Sequence, residues 1–182
     1  MDTPRDWDNI WRRKRGLFFS MARESLTKSA VKNLGRTGRF LEAGCGESYL
    51  LGRVGGFGID NSREACRLSK LKARVCLADI YSMPYGDGKF DTVFSQSVLQ
   101  SVEEPEKVVE EMLRVAKKGG RVAFTVPAKF SLLHLFRGVF WPGVRQSYWS
   151  VGEVKERFRA LDISVKRVWF RQLLWAEIKV TG

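Results

Sequence analysis

Short apolar runs alternate with helix-like stretches through the middle of the chain, and this alternation restricts the possible folds more than any other feature. Five runs have the length and composition of buried strands, at residues 40–43, 56–59, 75–78, 90–95 and 121–126. Helical patterns at 47–54, 62–72 and 103–117 lie between them. Because strands that alternate with helices pair in parallel, we expect a parallel sheet with helices on both faces.

The two ends of the chain follow other patterns. Residues 6–34 have helical periodicity, and Gly16 predicts a break into two helices. A helix is expected at 151–160, followed by apolar runs at 163–170 and 173–180. So short a connection cannot join parallel strands, so the last two runs must form an antiparallel hairpin. The sequence thus predicts an α/β fold whose sheet has seven strands, mostly parallel, and ends in this antiparallel C-terminal hairpin.

The helix predicted at 103–117 has the clearest signal. Its apolar face comprises Val108, Val109, Met112, Leu113 and Val115. The next residues are Lys117-Lys118-Gly119-Gly120. We interpret them as a basic last turn with a glycine stop, because cations and glycine are favoured at helix C-termini.

Length and composition indicate one globular domain, 1–182, with 44% hydrophobic and 29% charged residues. No run approaches the ~18–20 apolar residues of a membrane span, and the start MDTPRDWDN lacks the apolar segment of a secretory signal. The three cysteines, Cys45, Cys66 and Cys76, have no CxxC spacing. Neither a disulfide framework nor a zinc site is expected, and reduced thiols predict a cytoplasmic protein.

The charge of the chain is strongly positive and unevenly distributed. Thirty-two Lys and Arg against 20 Asp and Glu give a net charge of +12. Residues 1–39 and 127–182 each carry a net +6, whereas 40–126 are neutral. A positive field at both ends favours anionic partners, such as RNA or an anionic membrane surface, although solubility alone explains it equally well.

The strongest local signal is FLEAGCGES at 40–48, a buried strand that ends in an acid and is followed by a glycine turn and a helix. Glycines let the backbone approach a ligand closely, and a helix N-terminus presents free N–H groups. A dinucleotide site is disfavoured, because the third glycine position is Tyr49 and because Glu42 and Glu47 would repel a pyrophosphate. An acid at this strand end suits a ligand that carries an ammonium group.

Further motifs stand at the ends of the next strands. Asp60, in GIDN at 58–61, is placed where a carboxylate could accept hydrogen bonds from both ribose hydroxyls. Asp79 and Ile80 could read an adenine edge, and FDTVFSQ at 90–96 ends the fourth run. A single Asp at a strand end is more often a helix cap than a ligand. Four such motifs in this order are together strong evidence for a ligand site.

In their order, these blocks resemble the class I S-adenosylmethionine-dependent methyltransferases, most closely the UbiE-like, or type 11, branch. The matching stretches, within 38–127, are EAGCGES, GIDNS and LADIYSMPYGDGKFDTVFSQSVLQSVEEPEKVVEEMLRVAKKGGRVAFTVP. The resemblance implies a Rossmann-like fold, S-adenosylmethionine as cofactor with S-adenosylhomocysteine as its product, and transfer of a methyl group, most simply to a small molecule. RNA or protein methylation, and cofactor binding without catalysis, stay open as alternatives.

The resemblance also implies a role for each matching position. The cofactor-binding positions are Glu42, Gly44, Cys45, Gly46, Asp60, Asn61, Asp79, Ile80, Ser95 and Gln96. Glu42 and the backbone of Gly44 and Gly46 would hold the methionine portion, and Asp60 the ribose. Asn61 would lie beside the adenine, which Asp79 and Ile80 would contact. Ser95 and Gln96 would close over the methionine. Asp91 resembles a structural residue of the fourth-strand motif. No metal is implied, and no catalytic residue is assigned.

The sequence departs from the family pattern at two places. Ser48 stands at the third glycine of the GxGxG motif, and Gln100 and Ser101 replace a frequent pair of histidines after the fourth strand. The first change keeps a small residue at a tight turn. The second leaves open what takes the place of those histidines here.

Four segments are expected, namely a helical cap at 1–37, a cofactor-binding core at 38–126, an aromatic insertion at 127–150, and a C-terminal helix and hairpin at 151–182. The insertion could be a lid over a small acceptor, an interfacial helix at an anionic membrane, a nucleic-acid surface, or part of the core edge.

Single residues of the cap and the insertion allow alternative interpretations. His134 is a weak candidate for a general base. The run Arg12–Arg15 is either solvated, or binds an acidic acceptor, or pairs with the carboxylate of the cofactor. Trp7 and Trp11 could cover the cofactor pocket.

Overall fold

The structure is a computed structural model that describes residues 4–13, 17–35, 37–131 and 147–181. Within these residues, one seven-stranded sheet has the order β3-β2-β1-β4-β5-β7-β6. The strands are β1 Phe40–Ala43, β2 Phe57–Asp60, β3 Val75–Leu77, β4 Phe90–Gln96, β5 Ala116–Pro127, β6 Ile163–Val168 and β7 Leu173–Lys179. Strands β1–β5 are parallel, whereas β7 runs antiparallel to both β5 and β6. The predicted fold class is confirmed.

Six α-helices belong to the described part of the chain. They are α1 Pro4–Arg13, α2 Leu17–Leu34, α3 Leu51–Val54, α4 Arg63–Leu68, α5 Pro105–Val115 and α6 Val151–Arg157. Two short 3₁₀ turns, Lys72–Arg74 and Leu99–Ser101, precede β3 and follow β4. Within the described residues, no helix is long and apolar enough to span a bilayer.

The central strands are buried on both faces, and alternate residues enter different cores. Leu41 and Val93 join the core formed with α5 and α6, while Phe40 and Phe94 join the core formed with α2 and α3. Successive side chains of a strand point to opposite faces, so a strand covered on both sides carries apolar residues on both of them. This explains why these strands appear in the sequence as continuous apolar runs.

The predicted helix at 47–54 is wrong in extent, because turns occupy residues 44–50 and α3 has four residues only. Gly44, Gly46 and Ser48 have φ values of 77°, 53° and 59°. These left-handed conformations cannot belong to a right-handed helix. The glycine turn is therefore an extended loop and does not open directly into a helix N-terminus. The predicted helix at 62–72 is also shorter, ending at Leu68.

The basic helix end predicted at Lys117–Gly120 is wrong as well. Helix α5 ends at Val115, and β5 begins with the extended residue Ala116 (φ −78°, ψ 139°). Lys117 pairs with Asp91 beside β4, and Gly119 (φ 73°) donates its N–H to Val180 O at 2.9 Å. Contacts with neighbouring strands, which the local pattern does not contain, thus decide this segment. Arg39 N also donates to Asp91 Oδ2 (2.7 Å), consistent with a structural role for that carboxylate.

The loop at 79–89, which carries two predicted adenine contacts, is fastened to α5 by one arginine. Arg114 donates to the carbonyl oxygens of Tyr85 (2.9 Å) and Met83 (3.2 Å) and to the Asp87 carboxylate (2.6 Å). Glu111 holds the guanidinium and accepts the Met83 N–H at 2.6 Å. A planar guanidinium with five donors suits such a multiple contact.

Replacing Arg114 by methionine keeps much of the stem but leaves these carbonyls and carboxylates without their donor. We expect Arg114→Met to lower the free energy of unfolding by about 1–3 kcal/mol, measured by urea denaturation. Arg159→Met removes an exposed pair with Glu156 and should cost less than about 0.5 kcal/mol. Equal losses in the two variants would contradict the assigned role of Arg114.

Candidate cofactor site

The site lies where β1 and β2 end side by side, at the carboxyl edge of the parallel strands. Gly44 N and Cys45 N both donate to Ile59 O, at 2.8 and 2.9 Å, so the glycine turn folds across the end of β2. The neighbours of β1 are β2 on one side and β4 on the other, so the chain order reverses here. Open α/β sheets bind ligands in the crevice at such a reversal.

Asp60 joins the glycine turn to the loop after β2. Its Oδ2 accepts the Gly46 N–H at 2.7 Å, and its Oδ1 accepts the Ser62 N–H at 2.9 Å. Burial raises the pKa of Asp60, and the nearby carboxylate of Asp8 adds to the rise, whereas the two N–H donors lower it. Each carboxylate oxygen still has acceptor capacity, so Asp60 can receive further hydrogen bonds from a ligand.

Glu42, near the end of β1, is a buried acid with one carboxylate oxygen that lacks a partner among the described residues. Glu42 is 4% exposed, and the oxygen without a hydrogen-bond partner is its Oε2. Burial, and secondarily the charge of Asp60, raise the pKa of Glu42 well above its usual value. Burying a carboxyl group without such a partner lowers the stability of the protein. A ligand that brings a hydrogen-bond donor or a positive charge to this position would offset that cost.

Helix α1 covers this edge. A Cβ on Gly46 would lie 2.5 Å from the Trp11 ring, so the indole rests directly on the glycine turn. Asp8 Oδ1 accepts Ser62 Oγ–H at 2.6 Å and Glu64 N–H at 2.9 Å, which attaches α1 to the start of α4. Although burial opposes it, these two bonds lower the pKa of Asp8. The sequence raised Trp11 as a possible cover but missed Asp8, whose partners are more than 50 residues away and carry no local signal.

Arg23 is a second residue that the sequence analysis missed. It extends from α2, pairs with Glu47 just after the glycine turn, and stacks on the Tyr49 ring at 4.6 Å from its centre. Arg12 of the basic run makes a 3.5 Å contact with Asn9 on its own helix, and residues 14–16 lie outside the described part of the chain.

The predicted adenine contacts follow β2 and β3 at the same edge. Asn61 and Asp79 are exposed, and Ile80 is 9% exposed. Asp79 Oδ1 accepts the Tyr81 N–H at 3.0 Å, which shapes the loop after β3. Their roles toward a ligand stay predictions.

The end of β4 brings a group of polar side chains to this edge. Ser95 is fully buried and donates to Ala43 O at 2.8 Å, so its hydroxyl joins β4 to β1. Gln96 Oε1, Gln100 Oε1 and Ser101 Oγ are buried atoms without a hydrogen-bond partner among the described residues. Gln100 and Ser101, which stand where the family frequently has two histidines, thus contribute two of these three atoms.

The insertion is described only at its two ends. Tyr148 and Trp149 are 7% and 6% exposed, and Trp149 joins the core. This end of the insertion therefore packs as part of the core edge, one of the four interpretations that the sequence allowed. Residues 132–146, with His134 and most of the predicted lid, lie outside the described residues.

Comparisons with known proteins identify residues 41–124 as matching the type 11 family described as "Methyltransferase domain". The chain is 30% identical over 115 residues to an uncharacterized protein of Methanocaldococcus jannaschii, covering 60% of this chain and 56% of that protein. It is 36% identical over 100 residues to phosphatidylethanolamine N-methyltransferase of Cereibacter sphaeroides, covering 48% and 49%. The chain thus spans about half the length of these curated relatives.

A crystal structure of an S-adenosylmethionine-dependent methyltransferase from Aquifex aeolicus shares the fold. The TM-score is 0.71 at 19% identity, over 96% of this chain and 98% of that one.

The raised pKa of Glu42 predicts how stability depends on pH in the protein without ligand. The folded chain holds the Glu42 proton more tightly than the unfolded chain, so stability falls as pH rises above the ordinary value of 4.5. We expect Glu42→Gln to raise the free energy of unfolding at pH 7 by about 1 kcal/mol or more, and this gain should vanish toward pH 4.5. Urea denaturation across pH, with the exposed Glu156→Gln as control, measures this difference. A gain independent of pH would exclude titration of Glu42 as its cause.

Proposed function

Because residues 41–124 belong to the class I methyltransferases, we propose that this protein transfers a methyl group from S-adenosylmethionine to an acceptor molecule. The family resemblance of the motifs is confirmed by the matching domain and by relatives that are methyltransferases. The observation that carries the proposal is the buried Oε2 of Glu42, which lacks a partner among the described residues next to the glycine turn.

The residues at the edge fit the chemistry of this cofactor. S-adenosylmethionine carries a sulfonium and an ammonium group, and a positive charge beside Glu42 would compensate its buried carboxylate. Asp60, one strand away, retains acceptor capacity for ribose hydroxyls. The adenine contacts of Asn61, Asp79 and Ile80, and the methionine contacts of Ser95 and Gln96, form part of the same proposal.

When bound, the cofactor supplies an activated methyl group whose leaving group is a neutral thioether. The chain has to orient the donor and acceptor and to keep water away from them, and much of the catalysis can come from this positioning. Trp11 and Asp8 hold α1 over the edge, which supports a water-excluding cover. The carboxylates of Glu42 and Asp60 would hold the methionine portion and the ribose of the donor.

A small-molecule acceptor whose reacting group carries an N–H or O–H fits the end of β4 best. Beside Gln96, which is assigned to the cofactor, the buried oxygens of Gln100 and Ser101 can accept hydrogen bonds from such a group. They are neutral, so they select a hydrogen-bond donor without requiring a charged one. The relative named phosphatidylethanolamine N-methyltransferase acts, by its name, on the amine nitrogen of a lipid headgroup, and such a nitrogen is a hydrogen-bond donor.

The cofactor assignment predicts a large effect of one substitution at the end of β2. Asp60→Ala should weaken binding of S-adenosylmethionine at least tenfold (~1.4 kcal/mol) and abolish transfer of labelled methyl groups, because hydrogen bonds to a charged group are lost. Isothermal titration and a labelled-methyl assay measure the two effects.

Asp91→Ala is the matched control, since Asp91 also accepts a backbone N–H but lies away from the edge. This variant should lose stability and keep its affinity for the cofactor. Full activity of Asp60→Ala would contradict the ribose assignment, while cofactor binding without transfer by the native protein would favour a sensor function.

The acceptor assignment predicts a different kinetic signature. With labelled S-adenosylmethionine and a cell extract, label should enter a low-mass or solvent-extractable fraction. For that acceptor, Gln100→Met should raise KM about fivefold or more and change the cofactor Kd less than about twofold. Asn33→Leu, which removes another amide bonded to a backbone carbonyl, should change neither constant. Label in a nuclease-sensitive polymer would instead make RNA the acceptor.

A further inference from the structure

The turn between β6 and β7 violates a local rule of hairpin construction. Gln172 N donates to Trp169 O at 3.0 Å and closes the turn around Phe170 and Arg171. These two residues have φ values of 52° and 65°, as in a type I′ turn, and Trp169 has 47°. Type I′ turns favour Asn-Gly, because residues with a Cβ and a larger side chain are strained at positive φ.

Neither packing nor solubility accounts for phenylalanine at this turn. Phe170 is 84% exposed, so its ring contributes little to the core. An exposed phenyl group in a strained conformation costs stability, and such violations concentrate at functional sites.

The surroundings of Phe170 are cationic. From residue 163 to residue 176 the hairpin contains Lys166, Arg167 and Arg171 and no Asp or Glu. Lys166 and Arg171 are exposed. The tip therefore presents an aromatic ring among positive charges.

The tip stands at the same edge as the cofactor site. Strand β6 runs parallel to β5, since both are antiparallel to β7, so the turn after β6 lies at the carboxyl edge. Ala128 N, just past β5, donates to Gln172 O at 2.9 Å. Trp169 Nε1 donates to Ser25 Oγ of α2 at 2.9 Å, and Met21, one helical turn before Ser25, is 65% exposed.

We propose that this hairpin tip docks the protein on an anionic lipid bilayer, with Phe170 inserted at the boundary between headgroups and acyl chains. A phenyl ring and a methionine side chain both gain by leaving water, and the boundary between headgroups and acyl chains supplies an apolar environment for them. The neighbouring cations are attracted to anionic headgroups. The bilayer would face the carboxyl edge, where a lipid-soluble acceptor can enter; that last step rests on the proposed function, whereas docking does not.

A variant that should be more stable and yet lose docking gives the sharpest test. Phe170→Asn with Arg171→Gly installs the favoured turn sequence, so its melting temperature should equal or exceed that of the native protein. Its affinity for mixed phosphatidylcholine–phosphatidylglycerol vesicles should fall at least about tenfold, measured by co-sedimentation of the full chain. Pure phosphatidylcholine vesicles should bind the native protein more weakly, and added salt should weaken binding to the mixed vesicles.

The matched control makes the same two replacements elsewhere. Phe57→Asn with Arg159→Gly removes an exposed phenyl ring at the opposite edge and one exposed cation, and it should keep vesicle binding. Native binding to vesicles that survives the tip variant, or that is lost equally in the control, would overturn the proposal. So would an absence of vesicle binding, or selective binding of single-stranded RNA that depends on the tip. Cofactor titration of each variant keeps this outcome separate from a failure of the methyltransferase assignment.

Discussion

The hydrogen bonds that fold the glycine turn across the end of β2 determine the geometry of the whole edge. Two N–H groups of the turn meet Ile59 O, and a third meets the Asp60 carboxylate, which also holds Ser62 N. Buried backbone groups have to find partners, and here one carbonyl and one side chain supply them. The helix that covers the site, the loop after β2 and the acid at the end of β1 all depend on this arrangement.

The same arrangement concentrates negative charge. Glu42, Asp60 and Asp8 approach one another in a largely buried region, and the pKa values of the first two are raised. Only Asp8 has its pKa lowered, because it accepts two hydrogen bonds from the start of α4. Buried carboxylates with raised pKa values lower the stability of the protein at neutral pH, a cost that is common where residues are kept for ligand binding rather than for stability.

The strands of the sheet could be predicted well from the sequence, because each strand is specified by the residues of its own short segment. Runs such as 40–43 and 90–95 place apolar residues on both faces of the sheet, and the short link between the last two runs allowed antiparallel pairing alone.

Errors arose where distant contacts decide the conformation. Lys117 and Gly119 resemble a basic last turn and glycine stop of a helix, but in the structure they contact Asp91 and Val180. Of the site, the strand-end acids could be named from the motifs, whereas Asp8 and Arg23 could not, since α1 and α2 reach the edge through tertiary packing alone. The ligand contacts of the remaining positions stay predictions.

The stacking of Trp175 on Phe94 has a consequence for how the chain reaches its fold. The two rings lie 5.1 Å apart, and Trp175, at 1% exposed, is among the largest fully buried side chains. Its strand, β7, pairs with β5 along seven positions from Arg121 to Pro127. Because β7 lies at residues 173–179, β5 can complete its pairing and Phe94 its ring contact only after the intervening residues have been synthesised. Until then, the free edge of β5 is the kind of unpaired strand edge with which another strand can pair.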